Sequence, residues 1–144
     1  MLKVTKIFRF ETAHAIHGYN GHCKNIHGHS YVLHVTVGDP IGDIAFLPKP
    51  GFIVDFKDLK KWVNEIIIQE FDHCLILSKD FVKEHPNTAR TENLLIWEME
   101  PTAENILLHI KNKLLKALPD NILLKKLIIY ETNDSYAEWE SNAF

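Results

Sequence analysis

The sequence predicts an α+β fold, an antiparallel sheet with two helices on one face, laid down in the order β-β-α-α-β-β. Three observations carry this expectation. Alternation of apolar and polar residues occupies both ends of the chain, two stretches of helical periodicity sit together in the middle, and each strand pair is joined by loop- or turn-forming residues. At 144 residues the chain is expected to form one domain, 1–144, able to bury a core without disulfides or a structural metal.

The elements follow in order. From Val4 to His14 the residues at even positions include Phe8, Phe10 and His14, a strand with both phenylalanines turned inward and His14 on their face. The run "GYNGHCKN" has loop composition, and "HSYVLHVTV" then alternates through Tyr31, Leu33, Val35 and Val37. A second loop, "GDPIGDIAFLPKPG", precedes the short strand-like "FIVDF". In "DFKDLKKWVNEIIIQEF", Phe56, Leu59, Val63, Ile66, Ile67 and Glu70 recur at helical spacing. The segment "SKDFVKEHPNTARTENLLIWEME" reads as a surface excursion with a short strand near "NLLIWEM". "PTAENILLHIKNKLLKAL" is the second helix, with Thr102 as N-cap behind Pro101 and Glu104 at the positive helix start. "LLKKLIIYET" and "SYAEWE" close the chain as two strands about a turn at "NDS".

Composition removes several functional classes. A net charge of -3 with dispersed lysines gives no basic field for nucleic acid or anionic lipid. No apolar run is long enough to span a membrane, and the charged, alternating start is unlike a signal peptide, so a cytoplasmic location is expected. Cys23 and Cys74 are expected as free thiols.

The densest chemistry is "GHCKNIHGHSY", Gly21 to Tyr31. His27 and His29 are two residues apart, so on a strand both imidazoles leave one face, and hairpin pairing can bring His14 across to them. Three neutral nitrogen ligands with an open position is the arrangement of catalytic zinc. The competing reading is a chance cluster of surface histidines. A cupin-type site would want a carboxylate where this chain has His34, which faces away by parity, and the loop residues His17 and His22 are substitute ligands. Cys23, four residues before His27, fits three roles: fourth ligand, spare thiol, or a base activated by nearby positive charge. Asp72 and His73 read first as a helix terminator and alternatively as a proton-transfer pair. Glu131 ends an apolar strand, where an unpaired carboxylate is costly; it is either paired with a lysine such as Lys126 or left for a ligand with paired N–H donors, as pterins and guanines offer.

Taken in order, "FETAH", "CKNIHGHSY", "GFIVDF", "FDHC", "PTAEN" and "YET" resemble the 6-pyruvoyl-tetrahydropterin synthase superfamily, which includes the 6-carboxytetrahydropterin synthases of queuosine biosynthesis. The resemblance runs from about Phe8 to Glu131. It implies the tunnelling fold, in which the sheets of several subunits join into a barrel, commonly two trimers back to back, with active sites at subunit contacts. A homohexamer is expected on that ground alone. The resemblance also implies Zn2+ held by His14, His27 and His29, catalysis by Cys23 with Asp72 and His73 as relay, and a pterin ring anchored by Glu131 with Thr102 and Glu104. The interval "C-x3-HGH" is similar to that of the carboxytetrahydropterin branch. The implied reaction converts 7,8-dihydroneopterin triphosphate to 6-carboxytetrahydropterin, acetaldehyde and triphosphate. The rivals are the pyruvoyl reaction, without carbon–carbon cleavage, and a zinc- or pterin-binding protein without catalysis. Thr12 stands where the family often has alanine, and the excursion from about Ser78 to Met99 is longer than in compact members.

Overall fold

A computed structural model describes residues 1–39, 42 and 44–142; the predicted second loop, 38–51, lies partly outside them. β1 (Lys3–His14) and β2 (His27–Gly38) pair antiparallel without a break, from Lys3 opposite Gly38 to His14 opposite His27. β5 (Leu123–Thr132) pairs with the other edge of β2, and β6 (Ser135–Glu140) with β5. These four strands match the two predicted pairs.

On the remaining side the sheet departs from expectation. β3 (Cys74–Ser78) runs parallel to β1, and β4 (Leu94–Trp97) runs parallel to β3, giving the order β4-β3-β1-β2-β5-β6. The six-stranded sheet is therefore mixed rather than wholly antiparallel. Leu75, Ile76 and Leu77 are buried in succession, and a strand covered on both faces shows no alternation to reveal it. The predicted surface excursion is structured: α3 (Lys79–Glu84) and a 3-10 turn (Pro86–Arg90) carry the chain from β3 to β4, with Phe81 and Trp97 buried. The strand-like "FIVDF" joins no ladder; Val54 is buried against the core, and Asp55 accepts a hydrogen bond from Lys57 N at 2.8 Å as a helix cap.

Both predicted helices form and pack against the sheet. The first consists of α1 (Phe56–Val63), a π turn (Asn64–Ile68) and α2 (Gln69–Phe71). Its buried residues Leu59, Val63, Ile67 and Phe71 are spaced by four. In an α-helix each such step overshoots the core face by about 40°. The wider π turn absorbs that drift and keeps Phe71 inward. In α4 (Ala103–Ala117) the Thr102 hydroxyl accepts from Asn105 N at 3.2 Å, and Ile106, Ile110 and Leu114 face the core. They meet Phe10, Tyr31, Leu33 and Leu127 from the sheet, each contributing roughly 1.5–3 kcal/mol by its burial.

Candidate metal centre and active-site cavity

The unbroken register of β1 and β2 places His14 and His27 directly opposite each other, and the two-residue period puts His29 on the same face. Their ligand atoms lie within 4.8 Å of one another. The His14 Nδ1 sits 2.6 Å from Pro101 O, and the His27 Nδ1 sits 2.7 Å from Asn25 O. A carbonyl only accepts, so both rings donate from Nδ1, and as neutral imidazoles they present bare Nε2 atoms to each other across 3.1 Å. Two lone pairs at that distance repel unless a cation lies between them. Tetrahedral coordination with Zn–N bonds of about 2.0–2.1 Å separates ligand nitrogens by roughly 3.3 Å. The His29 Nε2 is buried without a hydrogen-bond partner, which completes a donor set suited to a metal ion.

The surroundings of His14 and His29 favour their neutral forms. Burial lowers the His14 pKa, opposed by the hydrogen bond to Pro101 and by Glu131, while burial also lowers that of His29 against the pull of Glu131. Neutral imidazole is the metal-binding form. Beneath the rings the Tyr31 phenol is fully buried, and burial, with smaller effects of Glu131 and Cys23, raises its pKa far above the ordinary value. It remains an uncharged floor to the site.

His14 opens into a cavity of about 310 Å³ whose walls include Cys23, Thr102, Glu104, Glu131 and Tyr136. Glu131 falls where the β5–β6 register shifts between Tyr130 and Thr132, and such a bulge re-aims a side chain. Its oxygens stand 3.6 Å from His29 Nε2 and 3.9 Å from His14 Nε2, beyond ordinary hydrogen-bond length. Lys126, its candidate partner, pairs instead with Glu138 at 2.9 Å. Cys23, in a short 3-10 turn (His22–Lys24), lines the cavity without joining the three-histidine cluster. Of the substitute ligands, His17 pairs with Glu84 at 3.1 Å and His22 is exposed. His34 sits opposite Ile7, on the sheet face away from the cluster.

Asp72 and His73 lie elsewhere. Asp72 Oδ1 accepts from Glu11 N at 2.9 Å, and His73 N donates to Glu11 O at 2.6 Å. His73 lines a separate cavity whose walls include Glu11, Ala13, Gly28, Ser30 and also His29. Neither residue of the pair lines the cavity at His14. His73 holds φ at 62°, a left-handed conformation uncommon outside glycine. The departure at position 12 has a structural consequence here: the buried Thr12 hydroxyl donates to Phe71 O at 2.7 Å, next to Asp72.

Sequence reasoning missed the supporting groups. The carbonyls of Pro101 and Asn25 have no side-chain signature. Glu100, whose carboxylate accepts from His17 N at 2.6 Å, and Tyr136 in the cavity wall carried no motif.

The sequence profile of the family described as "6-pyruvoyl tetrahydropterin synthase" matches residues 3–142. A Rickettsia felis protein named 6-carboxy-5,6,7,8-tetrahydropterin synthase is 34% identical over 96% of this chain and 99% of its own length. A Pyrococcus furiosus protein named dihydroneopterin monophosphate aldolase is 31% identical over 96% and 99%. The structure of Caenorhabditis elegans 6-pyruvoyl tetrahydropterin synthase superposes with a TM-score of 0.70 at 22% identity, covering 98% of this chain and 96% of that one, a likeness of fold.

Proposed function

The chain belongs to the 6-pyruvoyl tetrahydropterin synthase family, and from that premise we propose that it is a zinc-dependent 6-carboxy-5,6,7,8-tetrahydropterin synthase. With water, 7,8-dihydroneopterin triphosphate is converted to 6-carboxytetrahydropterin, acetaldehyde and triphosphate, as a cytoplasmic step of queuosine-type 7-deazapurine biosynthesis. The observation that carries the reading is a cavity on which a thiol, a carboxylate and His14, a member of a three-histidine donor set, converge.

His14, His27 and His29 would hold the zinc, which supplies Lewis-acid stabilisation of negative charge on substrate oxygens. Glu131 accepts the paired N–H groups of the pterin ring, and Thr102 and Glu104 hold the ring from the start of α4. Fixing the ring presents the side chain to Cys23, which as thiolate removes a proton from it. Asp72 and His73 exchange the complementary proton. Because neither lines the cavity at His14 of its own chain, they would serve the cavity of a neighbouring chain within a homohexamer of two trimers.

Zinc-loaded protein incubated with 7,8-dihydroneopterin triphosphate is expected to release acetaldehyde. Triphosphate without acetaldehyde would favour the pyruvoyl reaction, and unchanged substrate the non-catalytic binder. Mixing inactive Cys23→Ala and Asp72→Asn chains should restore part of the activity, whereas a mixture as inactive as its components would place the relay within one chain.

A further inference from the structure

Beside the active-site cavity lies a second cavity of about 550 Å³ that shares Ile16 and Tyr19 with it and is walled by His17, Lys24, Glu84 and His85. The two are separated by a tethered loop. Ile16 N donates to Cys23 O at 2.8 Å, fixing the chain where Cys23 faces one cavity and the next residue, Lys24, the other. The loop turns at Gly18, whose φ of 74° suits glycine, and Gly21 has no room for a Cβ, which would come within 2.4 Å of the Tyr19 ring. Tyr19 is thereby seated between the cavities.

We infer that this second cavity is the subsite for the polyphosphate tail of the substrate, with Lys24 as its principal cation and His85 as a further N–H donor. The inference rests on the synthase reading of the neighbouring cavity. In that reading the pterin ring is anchored at Glu131, which lines only the first cavity. The reacting carbons lie between Glu131 and Cys23. The phosphate chain, attached to the far end of the same side chain, must then continue past Cys23 and Tyr19, where the second cavity begins.

Charge supports the assignment. Lys24 has no carboxylate partner within salt-bridge distance among the described residues, so its ammonium is available to an anion. Glu84, the one acidic wall, is engaged by His17 at 3.1 Å rather than facing the cavity unpaired. His85 packs on Phe81 with ring centroids 4.5 Å apart, which limits the freedom it would lose on contacting a phosphate. A cation at this point also stabilises the charge that appears on triphosphate as it departs.

The test uses the whole 144-residue chain, zinc-loaded, with inorganic triphosphate as probe, followed by calorimetry. Wild type should bind it, and Lys24→Met should bind it about 10- to 100-fold more weakly, the loss expected for one charge-assisted contact. His85→Ala should weaken it several-fold. Both variants should keep the wild-type zinc content and thermal midpoint. With the pterin triphosphate, Lys24→Met should raise KM at least tenfold, and the corresponding pterin monophosphate should show a smaller change. Equal triphosphate affinity in wild type and Lys24→Met, or no binding by wild type, would overturn the inference. If turnover persists in that case, the synthase reading stands without it. Triphosphate binding that depends on Lys24 in a protein that turns over no pterin would keep the subsite and sink the synthase reading.

Discussion

Removing the proposed zinc should loosen the fold measurably, because the three candidate ligands sit on paired strands. His14 and His27 are register partners at the end of the β1–β2 ladder, next to the loop that spans residues 15–26. An ion bound to both, and to His29, ties the ladder end together in the folded state alone. At free zinc a thousandfold above its dissociation constant the added stability is about 4 kcal/mol. For a chain of this size each kcal/mol moves the midpoint by roughly 3–4 °C, so the shift should be roughly 12–16 °C. Thermal unfolding followed by circular dichroism, on protein stripped with a chelator and then titrated with zinc, reads this directly. His27→Ala is the informative variant. His27 is only partly buried, so its truncation opens little cavity, unlike that of His14, which is 2% exposed. In His27→Ala the zinc-dependent shift should collapse to a few degrees or less. An unmoved wild-type midpoint, or an equal shift in His27→Ala, would refute the three-histidine centre.

Three further outcomes follow from the packing. Thr12→Val strands the buried Phe71 carbonyl and should cost about 1–3 kcal/mol in urea unfolding, while Thr12→Ser should retain most of the stability; equal stability of all three proteins would remove that bond's role. Burial acts to raise the Glu70 pKa, but hydrogen bonds from His109 and Lys113 outweigh it and hold the carboxyl below its ordinary 4.5. A carboxyl with a lowered folded pKa stabilises fully above the unfolded value, and the stability is lost as pH falls from about 4.5 through the folded value. Acid unfolding of Glu70→Gln should be flatter there, and a profile parallel to wild type would count against the network. Thr102→Ala removes the α4 cap and should cost about 1 kcal/mol in the same urea assay, where a change below a few tenths would show the cap to be dispensable.

How far the sequence could be read depended on which residues have an alternating environment. Phe8, Phe10 and His14 on one strand, and Tyr31, Leu33 and Val35 on the next, face a core on one side and solvent on the other, so their period was visible and carried the histidine cluster with it. Leu75 to Leu77 are covered on both sides, and the parallel half of the sheet stayed hidden for that reason. Asp72 and His73 could be singled out by type but not placed, because they lie in a turn where parity has no meaning and a left-handed residue sets the direction. For Glu131, removing Lys126 as its partner requires the Lys126–Glu138 pair, which a single strand's pattern does not contain. The carbonyls that orient His14 and His27 belong to every residue alike, so no reading of side chains would find them.

The long β1–β2 ladder also sets a distance between tolerance and chemistry. His14 and His27 close one end, and Lys3 and Gly38 the other. Eleven intervening steps of about 3.3 Å put roughly 35 Å between them. The connection that leaves Gly38 toward α1 departs from that remote end, so lengthening it, fusing a tag there or re-sculpting its apolar surface around Phe46 and Phe52 leaves the three-histidine pocket untouched. Such a scaffold can acquire new attachments at one pole while its reactive pole stays under unchanged selection.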